Sequence, residues 1–124
     1  MSALESSAFA ATASQLAAAL EAYENDMDRL IAPVLDPDLY QKVSQRMDEM
    51  RLYALALPRV SVAWVEVLIR HFELTHGAWR LQQGGCRWEE LVELREAQRA
   101  AVHRLRAQCL RIVASPGKGS QQPA

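Results

Sequence analysis

The hydrophobic positions of this chain repeat with helical period in four segments, and the third segment has the widest apolar surface. Between Pro58 and Gly85, one group of side chains gathers on one side of a 100° per residue wheel: Val65, Leu68, Phe72, His76 and Trp79. A second group, called here the Val60 seam, follows heptad-like spacing: Val60, Trp64, Val67, His71, Leu74, Ala78 and Leu81. What remains is a narrow polar stripe: Glu66, Arg70, Glu73, Gly77 and Arg80. A helix that is apolar over most of its circumference must be buried over most of it, by its own chain or by a second copy.

The other three segments also predict helices with recognisable ends. Helix one extends to about residue 32 and is followed by Pro33, and its apolar positions step by 4, 3, 4 and 3: Leu16, Leu20, Tyr23, Met27 and Leu30. Helix two begins with Asp36 as N-cap and Pro37 at the first helical position. Its regular positions are Tyr40, Val43, Met47, Met50, Ala54 and Leu57. Gly84 is placed to close helix three, and helix four spans about 87–114.

Four helices with short connections predict an all-α fold, an antiparallel up-down-up-down four-helix bundle. In this arrangement helices two and three are close antiparallel neighbours, joined by a tight corner at Pro58, unless the corner is only a kink. Residues 1–13 are an Ala/Ser-rich N-terminal extension, residues 14–114 form the bundle domain, and residues 115–124 are a disordered C-terminal tail.

The width of the apolar surface on helix three predicts dimerisation through that helix. Leu52 and Leu55 point away from the regular apolar positions of helix two and extend the predicted surface. The full predicted interface is Val60, Trp64, Val67, His71, Leu74, Ala78, Leu81, Leu52 and Leu55. His71 would make association sensitive to pH if this seam is an interface, or it makes a plain polar contact. A compact monomer with an unusually buried third helix is the alternative.

Composition narrows the class of partner and the compartment. The net charge of −1 provides no general attraction to nucleic acid or to anionic lipid. No apolar run reaches 18 residues without a charge, and the N-terminus lacks the basic start of a secretory signal. Two cysteines are too few for a disulfide framework, so we expect a reducing, cytoplasmic compartment without membrane contact. Abundant alanine and the excess of arginine over lysine hint at a GC-rich bacterial genome.

Glu73 and His76 have the Glu-x-x-His spacing found in ferritin-like carboxylate sites. The chain has a single pair of this kind, whereas a dinuclear site needs two, so the pattern favours a core histidine packed near Trp79. We therefore expect no metal ion and no cofactor. A bundle that binds a metal or a small apolar ligand near Glu73, His76 and Trp79 is the alternative.

A basic stripe on helix four is the other charged feature: Arg95, Arg99, His103 and Arg106. No aromatic residue follows Trp88 to stack on bases, and helix one carries a matching acidic face of Glu21, Glu24 and Asp28. We expect ion pairing between these faces, within the bundle or across a dimer, or a solvated basic face, rather than nucleic-acid binding. Cys86 lies in a turn with no neighbouring base, which argues against a catalytic thiol.

Together these features predict a non-enzymatic protein-protein interaction module, a homo-oligomeric adaptor or regulatory protein. The expected partners are a second copy of the chain and a further protein of unknown identity.

Overall fold

A computed structural model describes residues 3–31 and 36–114 as helices joined by short connections. The elements are α1 (Ala3–Leu30), α2 (Pro37–Leu55), a short 3-10 helix (Pro58–Val60), α3 (Ser61–Gln82) and α4 (Trp88–Ala114). The described part of the chain contains no strand, which confirms the all-α prediction. Pro33 and the predicted disordered tail, 115–124, lie outside the described residues.

The first helix begins at Ala3, well before the predicted start of the bundle domain. Alanine has the highest intrinsic helix propensity, so the Ala-rich segment continues the helix rather than preceding it. Phe9 packs against the core and Ala13 is fully buried, which anchors this part of α1 to the rest of the fold. The described residues of the predicted extension are therefore the first turns of α1.

The start of α2 follows the predicted capping chemistry. The Asp36 carboxylate accepts hydrogen bonds from the backbone N–H groups of Asp38 (3.0 Å) and Leu39 (3.4 Å), and Pro37 is the first helical residue. The first buried position is Leu39, whereas Tyr40 is exposed. The buried face of α2 therefore begins one residue earlier than the regular spacing predicted.

The helices pack around α4, which contacts both α1 and α3, while α1 also contacts α2. The chain bends by 119° at the Pro58 corner, and α2 and α3 make little contact with each other. The prediction that these two helices are close neighbours is therefore wrong, because the 3-10 turn at Pro58–Val60 redirects the chain. Among the described residues no single helix is long and apolar enough to cross a membrane, and only α2 taken together with Pro58–Gln82 meets those criteria.

Glycines act at two positions around α3. Gly84 adopts φ of +79°, the left-handed conformation expected after a helix end, and thereby terminates α3 as predicted. Gly77 is buried, and a Cβ atom there would lie 2.6 Å from Cδ1 of Leu94. The absence of a side chain at Gly77 therefore lets α3 approach α4 closely.

Candidate interaction surface

The Val60 seam lies in the interior of the single chain. Val60, Val67 and Leu74 have no exposed surface, and Trp64, His71 and Ala78 are exposed by 6% or less. Leu81 is partly buried and packs against the same core. The neighbouring helices of the chain thus cover the seam, and its side chains are not available to a second molecule. This corrects the predicted placement of the interface, because helical spacing alone does not show which apolar face of α3 turns inward.

The opposite face of α3 carries a second apolar row that is open to solvent. Its members, called here the Val62 stripe, repeat with steps of 3, 4, 3, 4 and 3: Val62, Val65, Ile69, Phe72, His76 and Trp79. The exposed fractions are 83% for Val62 and 61% for Phe72, and 46–53% for Val65, Ile69 and Trp79. Steps of 3 and 4 place successive side chains on one line along a helix, the arrangement of a coiled-coil contact row.

Helical periodicity predicts Val65, Phe72, His76 and Trp79 on one side of helix three, but the predicted interface does not include them. Val62 and Ile69 belong to neither predicted group. The signal that could have separated the two faces is Gly77, which had been placed on the polar stripe. A glycine inside a helix destabilises it relative to alanine, so its presence indicates close packing on that side.

Charged side chains beside the Val62 stripe are paired along α3 itself. Nε of Arg70 donates to Glu66 (3.0 Å), and Nη1 of Arg70 donates to Glu73 (2.9 Å). The two carboxylates share one guanidinium, and this raises the pKa of Arg70 above its ordinary value. The flank of the stripe therefore presents paired charges with a net charge of −1.

The alternative site near Glu73, His76 and Trp79 has a simple geometry. The imidazole of His76 stacks on the indole of Trp79, with ring centroids 6.1 Å apart and an interplanar angle of 25°. Glu73 points to Arg70 on the neighbouring turn. The described residues contain no group of three or more His, Cys, Asp or Glu side chains arranged to hold a metal ion.

Leu52 and Leu55, the other predicted interface residues, are exposed by 65% and 69%. They lie on the outer side of α2, and the Val60 seam with which they were predicted to form one patch is buried.

Another open area lies between the end of α1 and the start of α4, where a groove of about 250 Å³ is lined by Ile31, Trp88 and Val92 among others. Val92 is exposed by 44%, close to the value for Ile69.

The core of the protein contains a polar network where α1, α3 and α4 meet. The Tyr23 hydroxyl and Nδ1 of His71 share a hydrogen bond (2.7 Å), and both side chains are buried. Burial lowers the pKa of His71 to about 4, so the imidazole is neutral at pH 7 and can accept this bond. Burial also raises the pKa of Tyr23, against a smaller opposing effect of its hydrogen bond to Gln98. His71 is therefore a structural residue of the core.

The basic stripe of α4 pairs with the acidic face of α1 within one chain. Arg95, exposed by only 7%, donates to Glu24 (3.2 Å), to Asp28 and to Gln98. Two outer pairs continue the contact, Arg99 with Asp28 (3.2 Å) and Arg106 with Glu21 (3.3 Å). The predicted pairing of the two faces is confirmed. The arginines that would neutralise the phosphates of a nucleic acid are partly engaged in this contact.

Both cysteines are free and buried. Cys86 donates to the carbonyl oxygen of Arg87 (3.4 Å), and burial raises the pKa of Cys109 to about 11. A thiol that stays protonated at neutral pH is a poor nucleophile, so Cys109 packs as a small apolar side chain.

Comparison of the chain with protein-family models, with curated proteins and with solved structures finds no match.

Proposed function

We propose that this protein is a non-enzymatic helical interaction module that forms a homodimer through α3, with the Val62 stripe as its contact surface. The observation that carries the proposal is the combination of coiled-coil spacing and exposure along this stripe. Isolated exposed apolar residues are ordinary on protein surfaces, but a contiguous row of them indicates a contact site. The Val62 stripe takes the place of the Val60 seam in the dimer that the sequence predicted.

The exposed area of the stripe suits a weak, reversible contact. Phe72 and Trp79 would bury 150–250 Å² each if fully covered and the aliphatic members less, so the five apolar side chains, about half exposed or more, offer up to about 500 Å² per copy. Two copies together would bury about 1,000 Å², which reaches the lower bound for a specific protein interface. The contact is small, so we expect a dimer that dissociates on dilution.

The occupant that fits the stripe best is another copy of α3. A row with steps of 3 and 4 packs knobs-into-holes against a helix with the same periodicity, and a second α3 supplies that periodicity. Because Glu66 and Glu73 already share Arg70, the dimer would not have to bury unpaired carboxylates. One negative charge per flank stays uncompensated, so the apolar contact has to outweigh a modest repulsion between exposed groups.

The non-enzymatic character of the proposal is supported by the polar groups of the core. Tyr23, His71, Gln98 and Arg95 are hydrogen-bonded to other side chains of the chain, and these bonds join helices to one another. Such groups hold the fold in register.

We place the protein in a reducing compartment, the cytoplasm, because both cysteines are free. Binding of a further protein remains part of the proposal, with the groove beside Trp88 as one open surface.

The helix order also belongs to the proposal. We infer that α1 runs antiparallel to α2 and to α4, and α3 antiparallel to α4. This inference rests on the short connections at 31–36 and 83–87 and on the contacts between these pairs.

Sedimentation equilibrium of the purified chain tests the dimer. We expect a mass of twice 13.9 kDa at high concentration, falling toward 13.9 kDa on dilution from about 100 to about 1 µM, as a contact of minimal standard size implies. A monomer mass throughout this range would contradict the proposal. Elemental analysis tests the metal alternative, which one equivalent of iron, manganese or zinc per chain would favour.

A further inference from the structure

We propose that two copies of α3 pair antiparallel, across a two-fold axis that passes between Ile69 and Phe72. This inference rests on the proposed homodimer and adds the orientation and register of its contact. It follows from the order of side-chain sizes along the Val62 stripe. Valine occupies the first two positions, isoleucine and phenylalanine the middle two, and histidine and tryptophan the last two.

In the antiparallel register each small side chain meets a large one. Val62 lies opposite the partner's Trp79, Val65 opposite the partner's His76, and Ile69 opposite the partner's Phe72. The summed volume of the layers is therefore more even than in a parallel pair, with Val65 and the partner's His76 forming the smallest layer. Helices packed in this way keep a constant separation of 8–10 Å, and interior packing density can be reached in every layer.

The parallel register instead pairs identical side chains, so its layers differ widely in volume. It stacks Trp79 on the partner's Trp79 at one end and Val62 on the partner's Val62 at the other. The thick end would hold the helices apart and leave a gap between the valines, and a gap of that kind forfeits van der Waals contact. It would also bring the two His76 imidazoles together in one layer, whereas the antiparallel register separates them by about 11 residues, roughly 16 Å.

The antiparallel contact has closed two-fold symmetry. A two-fold axis uses the same surface on both copies, so every member of the stripe is covered and none remains to recruit a third chain. The end product is a dimer rather than a fibre. The neighbouring Glu66–Arg70–Glu73 group holds two carboxylates and one guanidinium, and its net negative charge is the same in either orientation, so it does not choose between them.

Cysteine cross-linking tests the register in the full chain. Val65→Cys and His76→Cys would be made separately and co-expressed with tags of different size, then treated with a short bis-maleimide before denaturation. This pair leaves Val62, Ile69, Phe72 and Trp79 in place. The unmodified chain controls for Cys86 and Cys109, which are buried, and Val92→Cys controls for random collisions at an exposed site.

The antiparallel register predicts a cross-linked heterodimer of the two variants, at least tenfold above the cross-linked product of either variant alone. Cross-linking of Val65→Cys with itself would establish a parallel pair, which overturns the register but leaves the homodimer standing. A dimer mass with no cross-link in any mixture would place the contact elsewhere and also overturn the register. A monomer mass for the unmodified chain would remove the homodimer itself.

Discussion

The hydroxyl of Tyr23 on α1 and Nδ1 of His71 on α3 lie 2.7 Å apart in the core, in a hydrogen bond that joins two helices distant in sequence. Both side chains are buried, so each depends on the other to satisfy a polar atom away from water. This bond accounts for a histidine on the Val60 seam without any ligand or switch. It also assigns the seam to the interior of one chain.

Removal of the Tyr23 hydroxyl should lower the free energy of unfolding while leaving the helices intact. Tyr23→Phe deprives the buried imidazole of its partner, and an unsatisfied buried polar group costs about 1–3 kcal/mol. Tyr40→Phe is the matched control, because Tyr40 is exposed, and its effect should stay within about 0.5 kcal/mol. Urea unfolding followed by circular dichroism measures both. Equal stabilities for the two variants would show that the bond does not contribute.

The low pKa of His71 makes stability depend on pH. The folded state holds this group with a pKa of about 4, whereas the unfolded chain has the ordinary value of about 6.5. Between these values the unfolded state binds more protons, so the free energy of unfolding falls as the pH drops from about 6.5 to about 4. The difference corresponds to about 3 kcal/mol.

His71→Gln isolates this contribution from that of the carboxylates, because the other titrating groups remain. Urea unfolding at a series of pH values should give a wild-type curve that is steeper than the variant curve between pH 4 and 6.5 and parallel to it above pH 7. Parallel curves across the whole range would mean that His71 titrates alike in the folded and unfolded chain.

Arg95 should contribute more to stability than Arg99, although both pair with Asp28. Arg95 is buried and also donates to Glu24 and Gln98, so Arg95→Ala breaks a buried pair and should cost about 3 kcal/mol or more. The Arg99 side chain is half exposed, and Arg99→Ala should cost less than about 1 kcal/mol. Thermal or urea unfolding of both variants compares them. A larger loss for Arg99→Ala would contradict the described network.

Much of the fold follows from the sequence, because its signals are local. Helix periodicity, the Asp36 cap and the left-handed Gly84 each depend on residues within a turn or two of one another. The pairing of α1 with α4 could be predicted because the two helices carry complementary charges in register. The buried face of α4 is less evident from the sequence, because the polar residues Arg95 and Gln98 occupy buried positions of that helix.

What could not be predicted depends on distant neighbours. Both faces of α3 have apolar residues at helical spacing, and only the position of α4 decides which face is covered. Gly77 marks the covered side, but its role becomes apparent only when Leu94 is seen against it. The bend at the Pro58 corner likewise determines how far α2 and α3 diverge, and helical periodicity carries no information about an angle between helices.

The most direct test of the account compares Ile69→Lys with Val92→Lys by sedimentation equilibrium. The two sites are exposed to similar extents, 46% and 44%, and each has a glutamate three residues before and four residues after it. Lysine can therefore form the same helix-stabilising pairs at both sites, and both variants should keep wild-type helicity. In the dimer, however, Ile69→Lys would replace two isoleucines by ammonium groups inside the apolar contact next to the two-fold axis, where they lose their water and face each other, and we expect the dissociation constant to rise at least a thousandfold. We predict a folded monomer for Ile69→Lys and an unchanged dimer for Val92→Lys. A dimer that survives Ile69→Lys would contradict the proposed contact through the Val62 stripe.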